Sequence, residues 1–199
     1  MIRYIVFSLF LAACLSGCQL LYPFYCMVVN PIYAARYRKQ CNEMIKEYES
    51  NPFVSQPLSQ IAACYEKRGK HIKAIELYQK TLDQAEEKND PSVIVFNNKS
   101  LGDCYYELKE YGEAVSYYQQ ALSYQPQYLA YYELHRQLGK CYAKLHGYEK
   151  AKEQVDLLRK TSEAGYYEMA EEILNLIPDK QREKWGSEYK RRENYSRKL

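Results

Sequence analysis

A tyrosine followed nine residues later by an alanine recurs three times in this chain: Tyr65 and Ala74, Tyr105 and Ala114, Tyr142 and Ala151. Each Tyr closes the same small pattern. It reads Leu58-x2-Ile61-Ala62-x2-Tyr65, then Asn98-x2-Leu101-Gly102-x2-Tyr105, then His135-x2-Leu138-Gly139-x2-Tyr142. A fixed internal period constrains the fold more than composition does. A unit of this length cannot bury its apolar face alone, so it must stack on its neighbours.

The spacing within each unit is helical. In the middle unit Leu101, Gly102, Tyr105 and Tyr106 fall on one helix face, and Ala114, Tyr118, Ala121 and Leu122 on another. Apolar residues at i, i+3, i+4 and i+7 predict amphipathic helices. No stretch alternates with period two, so no sheet is expected. Gly102 and Gly139 sit inside helical patterns, where Gly costs about 1 kcal/mol relative to Ala. That cost is understandable where a neighbouring helix approaches the backbone closely. Gly69, Gly112 and Gly147 are expected in the turns between paired helices. Tyr166, Met169, Ala170, Ile173, Leu176 and Ile177 predict one more amphipathic helix, stopped by Pro178. Its expected role is to cap the C-terminal end. Tyr33, Tyr37, Cys41, Met44 and Tyr48 predict another, opened by Asn30-Pro31, closed by Ser50-Asn51-Pro52 and expected to cover the N-terminal end.

The pattern resembles the tetratricopeptide repeat, whose signature runs W-x2-L-G-x2-Y, then A-x3-F, then P. The Trp place holds Leu58, Asn98 and His135. The second element reads Ala74-x3-Tyr78, Ala114-x3-Tyr118 and Ala151-x3-Val155, and the closing Pro survives as Pro126. The alanines at 74, 114 and 151 lie 40 and 37 residues apart rather than the family's 34. The surplus falls in 83–96 and 123–132, where helices run long or loops bulge. The expected fold is all-α, a solenoid of about three helical hairpins with capping helices.

The first residues read as an address. Met1-Ile2-Arg3 is a short positive segment, and Tyr4 to Leu15 is an apolar run of signal-peptide length. It ends in Leu15-Ser16-Gly17-Cys18, which resembles the lipobox of bacterial lipoproteins. The resemblance implies cleavage before Cys18 and acylation of that residue with palmitate-type chains. Several acyl chains anchor a protein stably, at about 0.8 kcal/mol per buried CH2. Two other readings exist: an ordinary secretory signal with a chance Cys, and an uncleaved membrane helix, since apolar residues continue to Val29. Pro23 and the single preceding charge argue against the second. Gln19 follows the Cys. In similar lipoproteins an Asp there favours inner-membrane retention, so its absence implies the outer membrane, or the cell membrane in a host without an outer one.

The net charge of +3 is too mild to suggest nucleic acid. Its distribution is uneven: residues 180–199 hold eight Lys or Arg against three Glu. That tail is read as a solvated, frayed helix, or as a contact for anionic headgroups or an acidic partner. Seven Cys in an exported chain invite a disulfide reading. Cys64, Cys104 and Cys141 each precede a repeat Tyr. Equivalent places in adjacent units are about 20 Å apart, two layers of 8–10 Å, whereas a disulfide needs Cα atoms within about 7 Å. These three are expected to serve as small core residues. Cys26 and Cys41 remain as a possible pair, closing a loop of about 15 residues worth about 3 kcal/mol.

No catalytic constellation is visible. His71, His135 and His146 belong to no HExxH or Cys-His ligand set, and no phosphate loop or nucleophile elbow occurs. No cofactor, metal or small-molecule substrate is indicated. Recognition remains. Solenoids of the resembled family bind peptides or protein surfaces in a groove lined by the first helix of each unit. That face is expected to carry Ser59, Ala63 and Glu66, then Lys99, Asp103 and Tyr106, then Arg136, Lys140 and Ala143. Members that grip a C-terminal carboxylate use Lys and Asn on the first unit. Ser59 and Ala63 stand there instead, so no such clamp is expected. Lys99, Arg136 and Lys140 suit an acidic segment, with Tyr106 as an aromatic anchor.

The expected organisation is a signal peptide at 1–17, a lipid-anchored apolar linker at 18–30 and an N-terminal helix at 31–51. Three repeats follow at 52–161, then a capping helix at 162–178 and a basic tail at 179–199. The resemblance implies a lipid-anchored adaptor for other envelope proteins or peptides, on the periplasmic face of the outer membrane. Similar lipoproteins serve as pilotins, assembly factors or cell-wall enzyme adaptors. The alternative is a fixed subunit of a secretion or pilus machine, with Leu20 to Ala35 packed into neighbours. An enzyme is the remaining and weakest alternative.

Overall fold

The computed structural model describes residues 21–51, 57–124, 128–161, 164–186 and 189, with only the backbone course of 21–33, 128–129 and 164. Cys18, Pro126, the signal segment and residues 190–199 lie outside the described residues. Every element described is helical, and the chain divides into two units, Met1–Ser55 and Gln56–Leu199.

The first unit is one helix, α1 (Leu21–Ser50). The sequence reading starts a helix at Asn30-Pro31, after a linker; α1 instead runs through both. A Pro inside a helix removes one backbone bond, yet a single loss does not end a helix 30 residues long. Cys41 and Ile45, one turn apart, are buried. The end is tied off where Ser50 Oγ donates to the Glu47 carbonyl at 2.9 Å. Within this helix Cys26 and Cys41 lie about 22 Å apart, 15 residues at a rise of 1.5 Å. A bridge needs about 7 Å, so the expected Cys26–Cys41 pair is incompatible with the intact helix. Cys41 is nevertheless disulfide-bonded.

The second unit is built from hairpins. The first pairs α2 (Leu58–Lys67) with α3 (His71–Glu87). The second pairs α4 (Pro91–Glu107) with α5 (Tyr111–Ser123). The third pairs α6 (Tyr128–Lys144) with α7 (Tyr148–Arg159). Then come α8 (Ala164–Leu174) and a short α9 (Asp179–Glu183). Each helix packs on the next from α2 to α8, and α6 also packs on α8. This is the all-α helical-hairpin solenoid that the repeat predicts. Part of the surplus length is helix, since α3 and α4 are 17 residues each. Asp90 starts α4 by accepting from the backbone N–H of Ser92 and Val93, and Pro91 fits the first helical position.

The repeat Tyr marks a recurring turn. The amide of Lys70 donates to the Tyr65 carbonyl at 2.9 Å, that of Glu110 to Tyr105 at 2.9 Å, and that of Gly147 to Tyr142 at 2.8 Å. A bond spanning five residues is the helix-ending arrangement that needs a left-handed residue next to last. Those residues are Gly69 (φ 69°), Lys109 (φ 65°) and His146 (φ 59°). Gly69 is therefore the turn glycine of its hairpin. Gly112 sits in the first turn of α5 instead, and Gly147 just precedes α7.

The small residues lie at the helix crossings. Ala74, Ala114 and Ala151 are fully buried. A methyl group placed on Gly102 would fall 2.5 Å from the Tyr118 ring, and one on Gly139 would fall 2.4 Å from Ile173 Cδ1. Both glycines are close approaches. Beyond the hairpins, α8 buries Tyr166, Ala170, Ile173 and Leu174 against Ala151, Val155 and Leu158 of α7.

The basic tail does not begin at 179. Arg182 is buried and paired with Asp179. Trp185 donates its indole N–H to Glu149 at 3.0 Å, and the buried Tyr189 donates its hydroxyl to Asp156. These residues lie along α7 as part of the C-terminal cap. Arg182 therefore has a structural role, which a reading by charge alone misses.

Candidate partner-binding face

The first helices of the second and third hairpins touch each other, and the third also reaches α8. Lys140 Nζ of α6 lies 4.9 Å from the centre of the Tyr106 ring of α4. Arg136 of α6 reaches Glu172 of α8 at 2.6 Å. Helical spacing places 96, 99, 103 and 106 on one side of α4 and 133, 136 and 140 on one side of α6. The predicted residues Lys99, Asp103, Tyr106, Arg136 and Lys140 are thus brought onto a common face. Ser59, Ala63 and Glu66 are partly exposed on α2, whereas Ala143 is buried in the core and leaves the face.

The charges on this face are largely engaged with one another. Lys99 pairs with Asp103 at 2.6 Å, one helical turn apart. Arg136 forks onto Glu133 at 3.0 and 2.6 Å and onto Glu172 at 2.6 Å. Burial pushes its guanidinium pKa down, but the hydrogen bonds and charges of Glu133 and Glu172 together outweigh it and raise the pKa. Lys140 has no ion-pair partner among the described residues. The sequence reading sees three cations here; it does not see the carboxylates of Glu133 and Glu172 that fold back onto them.

Buried phenols hold the face from beneath. Tyr118 donates to Asp103 Oδ1 at 2.7 Å, and Tyr78 donates to Glu66 Oε2 at 2.7 Å. Burial, then the adjacent carboxylate, pushes both phenol pKa values well above the usual range. Both remain neutral hydrogen-bond donors at physiological pH. Cys104 and Cys141, free and buried behind the face, have their thiols pushed up to about 12, first by burial. They behave as the small core residues expected of them. Cys64, at the equivalent place in α2, is buried but disulfide-bonded, which the sequence reading does not anticipate.

The sequence reading omits one residue of the face. Phe96 lies a turn before Lys99 and keeps 49% of its surface exposed. Its ring meets Tyr78 edge-on, with centroids 6.2 Å apart. Its place three residues before Lys99 is the signal that identifies it. Among the described residues, no group of His, Cys, Asp or Glu is arranged to hold a metal.

Residues 53–127, spanning the first two hairpins, match the family model described as Tetratricopeptide repeat. The match supports a tetratricopeptide-repeat protein. Such repeats generally mediate protein–protein interactions, and proteins built from them are typically non-enzymatic scaffolds. No curated protein matches the chain.

Proposed function

We propose that this solenoid is a lipid-anchored adaptor of the bacterial envelope, tethered through Cys18, that holds protein components of a larger machine together. The observation that carries the adaptor reading is the connected face from α4 to α8, with Tyr106, Lys140 and Arg136 spanning the gaps between first helices. A preformed surface of this kind binds without a large ordering cost. The address rests on Leu15-Ser16-Gly17-Cys18 behind an apolar run, and the periplasmic face of the outer membrane follows from Gln19 after the Cys.

Two experiments test the reading. A photo-crosslinking amino acid at Ser59 or Ala63 in native cells is expected to capture an envelope protein. The same group at Ser116, exposed on the second helix α5, is expected to capture none. Absence of capture at both face positions overturns the adaptor. Cys18→Ala is expected to abolish lipid processing and recovery in the membrane fraction; unchanged processing and recovery overturn the anchor.

One observation favours a fixed structural subunit instead. α1 is continuous from Leu21 to Ser50, so most of the segment expected as an apolar linker is helix. A fixed subunit co-purifies with its neighbours at constant ratio, whereas an adaptor exchanges with added free chain.

A further inference from the structure

We propose that the α4–α6 face takes a short extended segment of a partner protein bearing an apolar side chain and, four or five residues further on, a side-chain carboxylate. The apolar group packs on Phe96 and the carboxylate sits on Lys140. This rests on the adaptor reading and names the chemistry of the same site.

Three observations converge. Phe96 is about half exposed, yet its ring is held edge-on to the buried Tyr78. A fixed aromatic with a free face is a ready anchor, because little side-chain entropy remains to be lost on binding. Lys99 and Arg136, the other cations of the face, are neutralised by Asp103, Glu133 and Glu172. Lys140 instead lies over the Tyr106 ring without a carboxylate among the described residues. A cation over an aromatic retains its charge and stays oriented, so it is the position where an incoming carboxylate gains most.

The spacing follows from the helix. Phe96 and Tyr106 are ten residues apart on α4, about 15 Å at a rise of 1.5 Å. An extended segment covers that span in four to five residues, at about 3.3 Å each. The carboxylate is a side chain of Asp or Glu rather than a chain terminus, since Ser59 and Ala63 stand on α2 where a terminal clamp would need Lys and Asn.

The test uses the full chain in detergent and fluorescent, C-terminally amidated peptides. Each has one Leu and one Asp in a Gly-Ser background, separated by one to eight residues. Fluorescence anisotropy is expected to show tightest binding at separations of four and five. Phe96→Ala is expected to weaken that binding tenfold or more. Lys140→Gln is expected to weaken it several-fold and to abolish the preference for Asp over Asn. Circular dichroism checks that both variants keep their helices. Equal affinity at all separations, no binding at millimolar peptide, or affinity unchanged in both variants would each overturn the proposal. Failure here leaves capture from Ser59 or Ala63 in cells untouched, whereas peptide binding without any capture in cells sinks the adaptor alone.

Discussion

The middle and third hairpins solve the same packing problem in different ways. Each first helix carries a glycine at the crossing, Gly102 in α4 and Gly139 in α6. In the middle hairpin the space is filled from within, by the ring of Tyr118 on α5. In the third, the residue equivalent to Tyr118 is Val155, too short to cover the glycine. The space is taken mainly by Ile173, which arrives from α8, with the Gln154 Cβ of α7 also 3.1 Å from the place of a methyl on Gly139. The middle hairpin therefore completes its own crossing, while the third depends on the cap. A repeat can be regular in sequence and still delegate part of its core to the next element.

The sharpest way to break this comparison is to remove the two fillers. Tyr118→Ala empties a fully buried site and leaves Asp103 without its hydroxyl donor. The expected loss is about 4 kcal/mol in urea unfolding. Ile173→Ala, also fully buried, is expected to lose about 3 kcal/mol. Native-state hydrogen exchange should separate them. Tyr118→Ala is expected to deprotect α4 and α5, and Ile173→Ala to deprotect α8 and the adjoining part of α6. The same deprotection pattern in both variants would show that the crossings are not independent.

Filling the glycines gives a smaller effect with a predicted order. Gly102→Ala drives a methyl into a ring pinned by its hydroxyl bond and fully buried. Overpacking costs about 1–3 kcal/mol, and the better helix propensity of Ala returns about 1. A net loss of about 1–2 kcal/mol is expected. Gly139→Ala meets Ile173 at Cδ1 and Cγ1 and the Gln154 Cβ at 3.1 Å; Ile173, unlike Tyr118, is pinned by no hydrogen bond, so the loss is expected to be smaller. The first hairpin is the natural control. Ala62 already stands at this place, and its Tyr78 hydroxyl finds Glu66 rather than Ala63, the residue equivalent to Asp103. The acceptor has moved about one turn along the helix. Denaturation midpoints of the two variants measure the order, and a larger loss for Gly139→Ala would reverse the comparison.

The parts of this structure that repeat were legible in the sequence, and the parts that do not repeat were not. Tyr65, Tyr105 and Tyr142 recur because their carbonyls close the turns, and Ala74, Ala114 and Ala151 recur at fully buried helix crossings. Ile173 was readable as core but not as the filler of Gly139, since nothing local links residues so far apart. Helical spacing puts Lys99 to Lys140 on neighbouring helix faces, but it does not show which carboxylates engage their charges. Glu172 reaches Arg136 from two helices on, a contact that composition cannot show. Arg182, Trp185 and Tyr189 fall in the expected basic tail, but Asp179 pairs with Arg182, and Glu149 and Asp156 of α7 accept from Trp185 and Tyr189. Even the cover over the repeat tyrosines differs. Lys73 and Lys150 lie over Tyr65 and Tyr142. Glu113 occupies their equivalent place in the middle hairpin, where Tyr117 stacks on Tyr105 instead.

The smallest predicted effect concerns the turn inside each hairpin. The left-handed residue is Gly69 in the first, Lys109 in the middle and His146 in the third. Only glycine occupies φ near +65° without crowding its own Cβ. Lys109 is exposed, and its backbone N–H already bonds the Tyr106 carbonyl at 3.0 Å. Replacing it by Gly therefore removes the steric strain and keeps the turn. Gly also gives the unfolded chain more freedom, which offsets part of the gain. Lys109→Gly is expected to stabilise the fold by about 0.5–1 kcal/mol, read as a higher urea midpoint at unchanged slope. His146→Gly should gain less, because the His146 ring also meets the Tyr148 hydroxyl at 2.7 Å and that contact is lost. The converse, Gly69→Lys, should destabilise by a similar amount. If Lys109→Gly lowers the midpoint instead, the middle turn does not share the backbone geometry of the first, and the equivalence of the hairpins fails at the joint that defines them.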